Sequence, residues 1–200
     1  MIEHYFSENP LSKREEVHFK TRLLGSVVEI TSASSIFSLK EVDFGSRLLI
    51  EKAKIPENAD LLDLGCGYGV VGIAVKKARP DAQVTMVDVN QRAVNLAVRN
   101  CRANSVKASV FKSNKFSNEN VKDKLFDCIL TNPPFSAGKK LCIEFIEESF
   151  DHLKPGGTLQ LVAPHNKGGG SLKKEMMRVF GNVEELVKKA GYRVYCSRKD

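Results

Sequence analysis

The sequence predicts an α/β fold: a mostly parallel sheet with helices on both faces and an antiparallel last strand. Three observations carry this expectation. Short apolar runs alternate with helical periodicities from about residue 60 to residue 180, and such alternation forces parallel strands covered on both sides. A glycine-rich turn, Gly65-Cys66-Gly67-Tyr68-Gly69, separates the first of these strands from the first helix. Two closing strands meet at Ala190-Gly191, a hairpin-like turn that reverses the last strand.

Element by element, residues 19–33 alternate well enough for an N-terminal hairpin, with Gly25 at its turn. Residues 43–54 read as a helix. Strands are then expected at 60–64, 83–88, 107–112, 125–131, 158–163, 182–188 and 193–197, which makes seven. Helices are expected at 70–79, 91–103, 138–153 and 171–180, with Asn90 as the N-cap of the second. The glycine run Gly168-Gly169-Gly170 falls in the loop after the fifth of these strands and reads as a flexible connector, with a mobile substrate flap as the alternative. No linker divides the chain and no repeat occurs, so residues 1–200 form one domain: a hairpin and helix extension over 1–55, and a core over 56–200.

Composition narrows the class. With 42% apolar residues, a 200-residue chain can bury a substantial core without disulfides or metals. Cys66, Cys101, Cys128, Cys142 and Cys196 are odd in number, widely spaced and lack a CxxC pair, so they read as reduced, buried residues with no metal site. No apolar run reaches membrane-spanning length and the first ten residues lack a signal-peptide core, which points to a cytoplasmic protein without a membrane partner. Basic side chains outnumber acidic ones by 31 to 24. Lys139-Lys140 follow a two-proline turn, and Lys167, Lys173-Lys174, Arg178, Lys188-Lys189, Arg193, Arg198 and Lys199 crowd the last quarter. Such an excess suits a polyanion, although solubility alone would also account for it.

Two motifs carry the chemistry. The first is the turn at residues 65–69, where glycines allow close backbone approach and the following helix N-terminus offers free N–H groups. Residues 67–72 match the dinucleotide pattern G-x-G-x-x-G, but Asp63 stands ahead of the glycines, where it would repel a pyrophosphate and attract an ammonium. A cofactor with a cationic amino-acid end, such as S-adenosylmethionine, fits this better than NAD. Asp88, ending the next strand, is placed to accept from two ribose hydroxyls, with Val89 beside it. The second motif is Asn132-Pro133-Pro134-Phe135 at the exit of an apolar strand. The prolines end the strand sharply. The Asn132 carboxamide and the Pro133 carbonyl can accept from a planar amino group, and Phe135 offers a face for stacking. A plain proline turn is the ordinary alternative. Asp63, Asp88 and Asn132 all fall at strand C-termini, where open α/β sheets bind ligands.

Together these residues resemble the motifs of class I S-adenosylmethionine-dependent methyltransferases. Within that class the chain is similar to the small-subunit ribosomal RNA guanine-N2 methyltransferase family and its compact archaeal-type relatives. Ile36-Phe37-Ser38 and Asp43-Phe44-Gly45-Ser46 resemble that family's Phe-Ser and Asp-x-Gly-Ser/Thr elements. The resemblance implies a Rossmann-like seven-stranded sheet and S-adenosylmethionine as cofactor. It implies that Gly65, Cys66, Gly67 and Gly69 line the cofactor site, that Asp63 and Asp88 hold its ends, and that Phe37, Ser38 and Gly45 line the pocket or its lid. Asn132, Pro133 and Phe135 would act on the amine, with Lys139 and Lys140 on the RNA. The family's Ser-Asp after the third strand is Ser113-Asn114 here, so adenine contact would fall to an amide. His165 is the one histidine placed near the cleft.

Guanine N2 in ribosomal RNA is the favoured target, with transfer RNA the other RNA possibility. Protein glutamine-N5 methylation is a second reading; those enzymes carry tyrosine after the two prolines and a long helical N-terminal domain, and this chain has neither. A non-catalytic RNA-binding module is a third, but RNA binding alone requires neither Asp63 nor Asn132. A NAD-dependent oxidoreductase is the weakest.

Overall fold

A computed structural model describes residues 16–33 and 41–200. Its order is β1 (Glu16–Leu23), β2 (Ser26–Ala33), α1 (Phe44–Lys52), β3 (Asp60–Leu64), α2 (Val70–Ala78), β4 (Gln83–Asp88), α3 (Gln91–Ala103), β5 (Ser109–Lys112), β6 (Phe126–Thr131), α4 (Lys139–Asp151), β7 (Leu153–Pro164), α5 (Gly169–Phe180), β8 (Glu184–Lys189) and β9 (Tyr192–Arg198). Short 3₁₀ turns at Phe135–Ala137 and His165–Lys167 follow β6 and β7.

Seven strands form one sheet in the order β5-β4-β3-β6-β7-β9-β8, and β9 alone runs against its neighbours. The two-residue periodicity of the strands decides which side each residue serves. Leu61, Cys128, Leu130, Val162 and Val194 face a core completed by α1, α2, α3 and the β1–β2 hairpin. Leu62, Ile129, Leu159, Leu161 and Tyr195 face the other core, closed by α4 and α5. All five cysteines are free and buried, and burial raises every one of their thiol pKa values. Among the described residues no helix is long and apolar enough to cross a membrane.

Two elements differ from the sequence reading. The strand expected at 158–163 extends back to Leu153 through Pro155. Phe126 pairs with Leu153 across a register shift, and Lys199 bonds to both Gly156 and Gly157, so backbone pairing continues around the proline. The glycine run is not a connector. Gly168 (φ +107°) caps α5, and Gly169 and Gly170 form its first turn. A Cβ on Gly169 would sit 2.9 Å from the Pro164 carbonyl oxygen, so glycine lets the helix start directly against the strand end.

The N-terminal hairpin lies outside the main sheet, and α3 satisfies one edge of it with two asparagines. Asn100 accepts from Thr31 N (2.8 Å) and donates to the carbonyls of Thr31 (3.0 Å) and Tyr68 (2.9 Å). Asn104 pairs with Glu29 N and O in the same manner. The side-chain amides thus imitate a neighbouring strand where none exists, and Asn100 also reaches the glycine loop. On β7, inside the sheet, buried Gln160 makes the same two-sided pair with the backbone of Lys54, just after α1. Removing Asn100 orphans three buried backbone groups. Asn100→Ala is therefore expected to cost about 2–4 kcal/mol in urea unfolding, with a smaller loss for Asn104→Ala. Equal and negligible losses would show that the hairpin does not depend on these amides.

Candidate active site

The carboxyl edge of the sheet gathers both sequence motifs. The Thr131 hydroxyl donates to the Leu64 carbonyl (2.8 Å), tying the exit of β6 to the exit of β3. Asn132 and the glycine loop therefore leave the sheet side by side. The loop turns back on itself through Gly65, Gly67 and Gly69, with φ of +75°, +55° and +86°. The amides of Gly65 and Cys66 both donate to the Val87 carbonyl. Gly72 serves packing: a Cβ there would lie 2.6 Å from Met86 Sδ.

Two buried carboxylates hold the loop from below. Asp88 Oδ2 accepts from Gly67 N (2.9 Å) and its Oδ1 from Asn90 N (2.8 Å). Asp63 Oδ2 accepts from Gly72 N (2.9 Å) in the first turn of α2. Neither has a cationic partner among the described residues. Burial, reinforced by the charge of Asp88, lifts the Asp63 carboxyl to about 7, and burial also raises that of Asp88. A buried carboxylate lacking a counter-ion at a glycine turn is suited to an ammonium, so the donor set fits S-adenosylmethionine. Cys66 is buried and contributes backbone only; Val89 is half-buried just beyond Asp88.

The environment of Asn132 is more specific than the sequence suggested. Its Nδ2 donates to Asp43 Oδ1 and to Ser46 Oγ, both at 3.1 Å. A carboxylate can only accept, so the amide nitrogen must point toward α1 and Oδ1 is turned the other way. Asp43 also caps α1 by accepting from Ser46 N (2.9 Å). Its second oxygen is buried without a partner, as is the hydroxyl of Tyr68 from the glycine loop. The two are neighbours: burial first, then the Asp43 charge, raises the Tyr68 pKa.

Other predicted residues are placed as follows. Pro133 is buried, and its carbonyl accepts from Phe135 N (2.9 Å), leaving one lone pair for another donor. Phe135 is half-buried on the α4–α5 side, and a Cβ on Gly168 would lie 3.7 Å from its ring. Gly45 lies behind Asn132: a Cβ there would be 3.1 Å from Asp43 Oδ1, 3.3 Å from Tyr192 Cε1 and 3.4 Å from Asn132 Nδ2. Lys139 and Lys140 are exposed at the start of α4. Ser113 N bonds to the Asp88 carbonyl, which sets β5 beside β4, while Asn114 is exposed. His165 is occupied, with Nδ1 at 2.6 Å from the Tyr195 hydroxyl. Phe37 and Ser38 lie outside the described residues.

Asp43 and Ser46 stood in the sequence reading only as members of the resembled Asp-x-Gly-Ser/Thr element, with no role of their own, and Tyr192 was missed. Beyond that resemblance Asp43 carried one local signal, its position ahead of a helix with Ser46 three residues on. Nothing local disclosed that the cap would reach Asn132, 89 residues away.

Residues 27–196 match the methyltransferase small domain family. The chain belongs to that family. It is 39% identical over 201 residues to an uncharacterized Bacillus subtilis protein, YbxB, covering all of both chains. It is 34% identical over 176 residues to ribosomal RNA small subunit methyltransferase C of Photorhabdus laumondii, covering 86% of this chain and 50% of that one. Among solved structures, a T. thermophilus 16S rRNA guanine-N2 methyltransferase in complex with AdoMet and guanosine superposes with a TM-score of 0.80 at 27% identity, over 96% of this chain and 52% of that one. A Pyrococcus furiosus methyltransferase superposes at 0.67 with 26% identity, over 77% and 81%. The chain thus spans all of YbxB but about half the length of the ribosomal RNA enzymes it matches. It is a methyltransferase domain with S-adenosylmethionine as cofactor.

The raised Asp63 pKa has a signed consequence. With a native pKa near 7 and an unfolded one near the ordinary carboxylate value of 3.8, the folded state binds the extra proton between them. Stability therefore falls as pH rises through that window. Asp63→Asn keeps an acceptor for Gly72 N and removes the titration. Its stability relative to wild type should rise between about pH 4 and pH 7 and level off above; parallel pH profiles in urea unfolding would contradict the assignment.

Proposed function

We propose that the chain methylates the exocyclic N2 amine of guanine in ribosomal RNA. The observation that carries this reading is the fixed polarity of Asn132, whose Nδ2 is held by Asp43 and Ser46 so that Oδ1 is presented as an acceptor. A planar amine needs such an acceptor, because its lone pair is delocalised into the ring. Hydrogen bonds from the NH₂ to Asn132 Oδ1 and to the remaining lone pair of the Pro133 carbonyl draw nitrogen toward tetrahedral geometry and aim the lone pair. Bound S-adenosylmethionine supplies an electrophilic methyl on sulfur, so the protein's task is alignment and exclusion of water. No strong base is required, since the nitrogen proton becomes acidic once the methyl is attached.

In this reading Asp63 accepts from the cofactor ammonium, Asp88 accepts from its ribose, and Gly65, Gly67 and Gly69 keep the backbone close. Phe135 stacks on a base extruded from its helix or loop. Lys139 and Lys140 take nearby phosphates. The named ribosomal RNA relatives and the guanosine complex of the structural neighbour favour guanine over other amines.

The direct test is nucleoside mass spectrometry of ribosomal RNA from a strain lacking the gene, where one N2-methylguanosine should disappear and return on complementation. An unchanged nucleoside profile would remove the proposal. Asn132→Ala is expected to abolish transfer with cofactor affinity within a few-fold, while Asp88→Ala weakens cofactor binding by about 1–3 kcal/mol. Retained turnover in the first, or unchanged calorimetric affinity in the second, would reassign that residue. Asp43→Ala removes the one oxygen that accepts from both Asn132 Nδ2 and Ser46 N, together with the helix cap. It should lower turnover about 10–100-fold with little change in cofactor affinity; wild-type turnover would show that Asn132 orients itself.

A further inference from the structure

Beside Asn132 the cleft wall carries an aromatic pair that the cofactor and amine chemistry do not use. Phe44, the first residue of α1, is 38% exposed, which is unusual for so large an apolar ring. Its ring lies 5.3 Å from that of Tyr192 at 59°. Tyr192 in turn closes on Asn132: the Cβ position on Gly45 is within 3.3 Å of Tyr192 Cε1 and 3.4 Å of Asn132 Nδ2. The Tyr192 hydroxyl makes no hydrogen bond with a described residue, and the ring is half-buried.

Tyr192 opens β9 at the hairpin turn that ends β8, so Lys188 and Lys189 stand next to it, paired with Arg193 and Tyr192 across the strands. The Gly191 carbonyl accepts from His165 N, which brings the turn carrying Lys167 to the same edge. Lys167, Lys188 and Lys189 are exposed, and none forms an ion pair with a described residue. Several other cations of this region are engaged. Lys54 and Lys173 pair with Glu184 and Glu185 at the opposite end of β8, Arg178 pairs with Glu147 and Glu175, and Arg193 is buried against Glu185. Lys199 bonds to the Phe150 carbonyl and sits over its ring. Of the basic residues crowded into the last quarter, Lys173, Arg178 and Arg193 are paired with carboxylates, Lys174 lies on α5 and Arg198 at the far end of β9, and Lys167, Lys188 and Lys189 gather at the edge beside Tyr192.

Resting on the RNA reading above, we propose that Phe44 and Tyr192 form a stacking platform for a nucleotide adjoining the target guanine. Lys167, Lys188 and Lys189 hold the phosphates beyond it, so a single strand leaves the cleft over the β9–β8 side. Aromatic faces accept any base, and unpaired lysines beside them track the backbone, which is how single strands are held without sequence readout.

Fluorescence anisotropy with a labelled single-stranded RNA of about 12 nucleotides carrying unpaired guanines tests this without any methyl transfer. The protein is held with S-adenosylhomocysteine. Phe44→Ala should weaken binding about tenfold at unchanged salt dependence, and Phe44→Trp should restore it. Lys188→Ala with Lys189→Ala should reduce the slope of log affinity against log salt by about 1.4. Lys107→Ala with Lys124→Ala removes the same charge from a groove at the amino edge of the sheet and should change neither the slope nor the affinity beyond twofold. Wild-type binding that is indifferent to Phe44 and to the lysine pair overturns the platform while leaving the methyltransferase reading intact. An equal loss in the amino-edge control also overturns it. Failure of the wild-type protein to bind the RNA removes the platform and the RNA reading together.

Discussion

Two carboxylates buried beneath a glycine turn are the constraint on which the remainder of the site depends. Asp63 and Asp88 each give an oxygen to an amide of the turn or of the helix behind it, and in the protein alone no cation among the described residues offsets the charge of either, which is why burial raises both carboxyls. A core built for stability alone would not keep such groups, because burying an unpaired carboxylate is unfavourable. Their presence makes sense if a ligand completes them. The same arrangement explains the glycines, since only left-handed backbone lets the chain fold over the acids and still leave room above them.

The catalytic amide follows the same logic of a group fixed from behind. Asn132 would be free to flip if it stood on a plain proline turn. Asp43 and Ser46 remove that freedom, and Gly45 is glycine because α1 must approach the amide closely enough for them to reach it. Gln160 then holds the far end of α1 to the sheet. Through this helix the position of one carboxamide is tied to the core. Tyr68, buried against Asp43, brings the glycine loop to the same point, so cofactor and acceptor sites share a wall.

Much of this was legible in the sequence, and the boundary has a physical meaning. The strand–helix alternation, the closing hairpin, and the placement of Asp63, Asp88 and Asn132 at strand ends are local patterns read by period and turn chemistry. What escaped was created by distance along the chain. Asp43 shows a helix cap, but its partner Asn132 lies just past the end of β6. Gly168 to Gly170 read as a loop because glycine disfavours helix, yet contact with Pro164 requires glycine in the first turn of α5. The basic last quarter gave the sign of the charge but not its address, since the partners of Lys173, Arg178 and Arg193 are fixed only by packing.

The most direct measurement is a crystal structure of the protein with S-adenosylhomocysteine and guanosine bound together. The account requires the guanine amine within hydrogen-bond distance of Asn132 Oδ1, the Asn132 nitrogen still on Asp43, and the cofactor ribose on Asp88. A base seated away from Asn132, or a carboxamide turned with its nitrogen toward the amine, would contradict it.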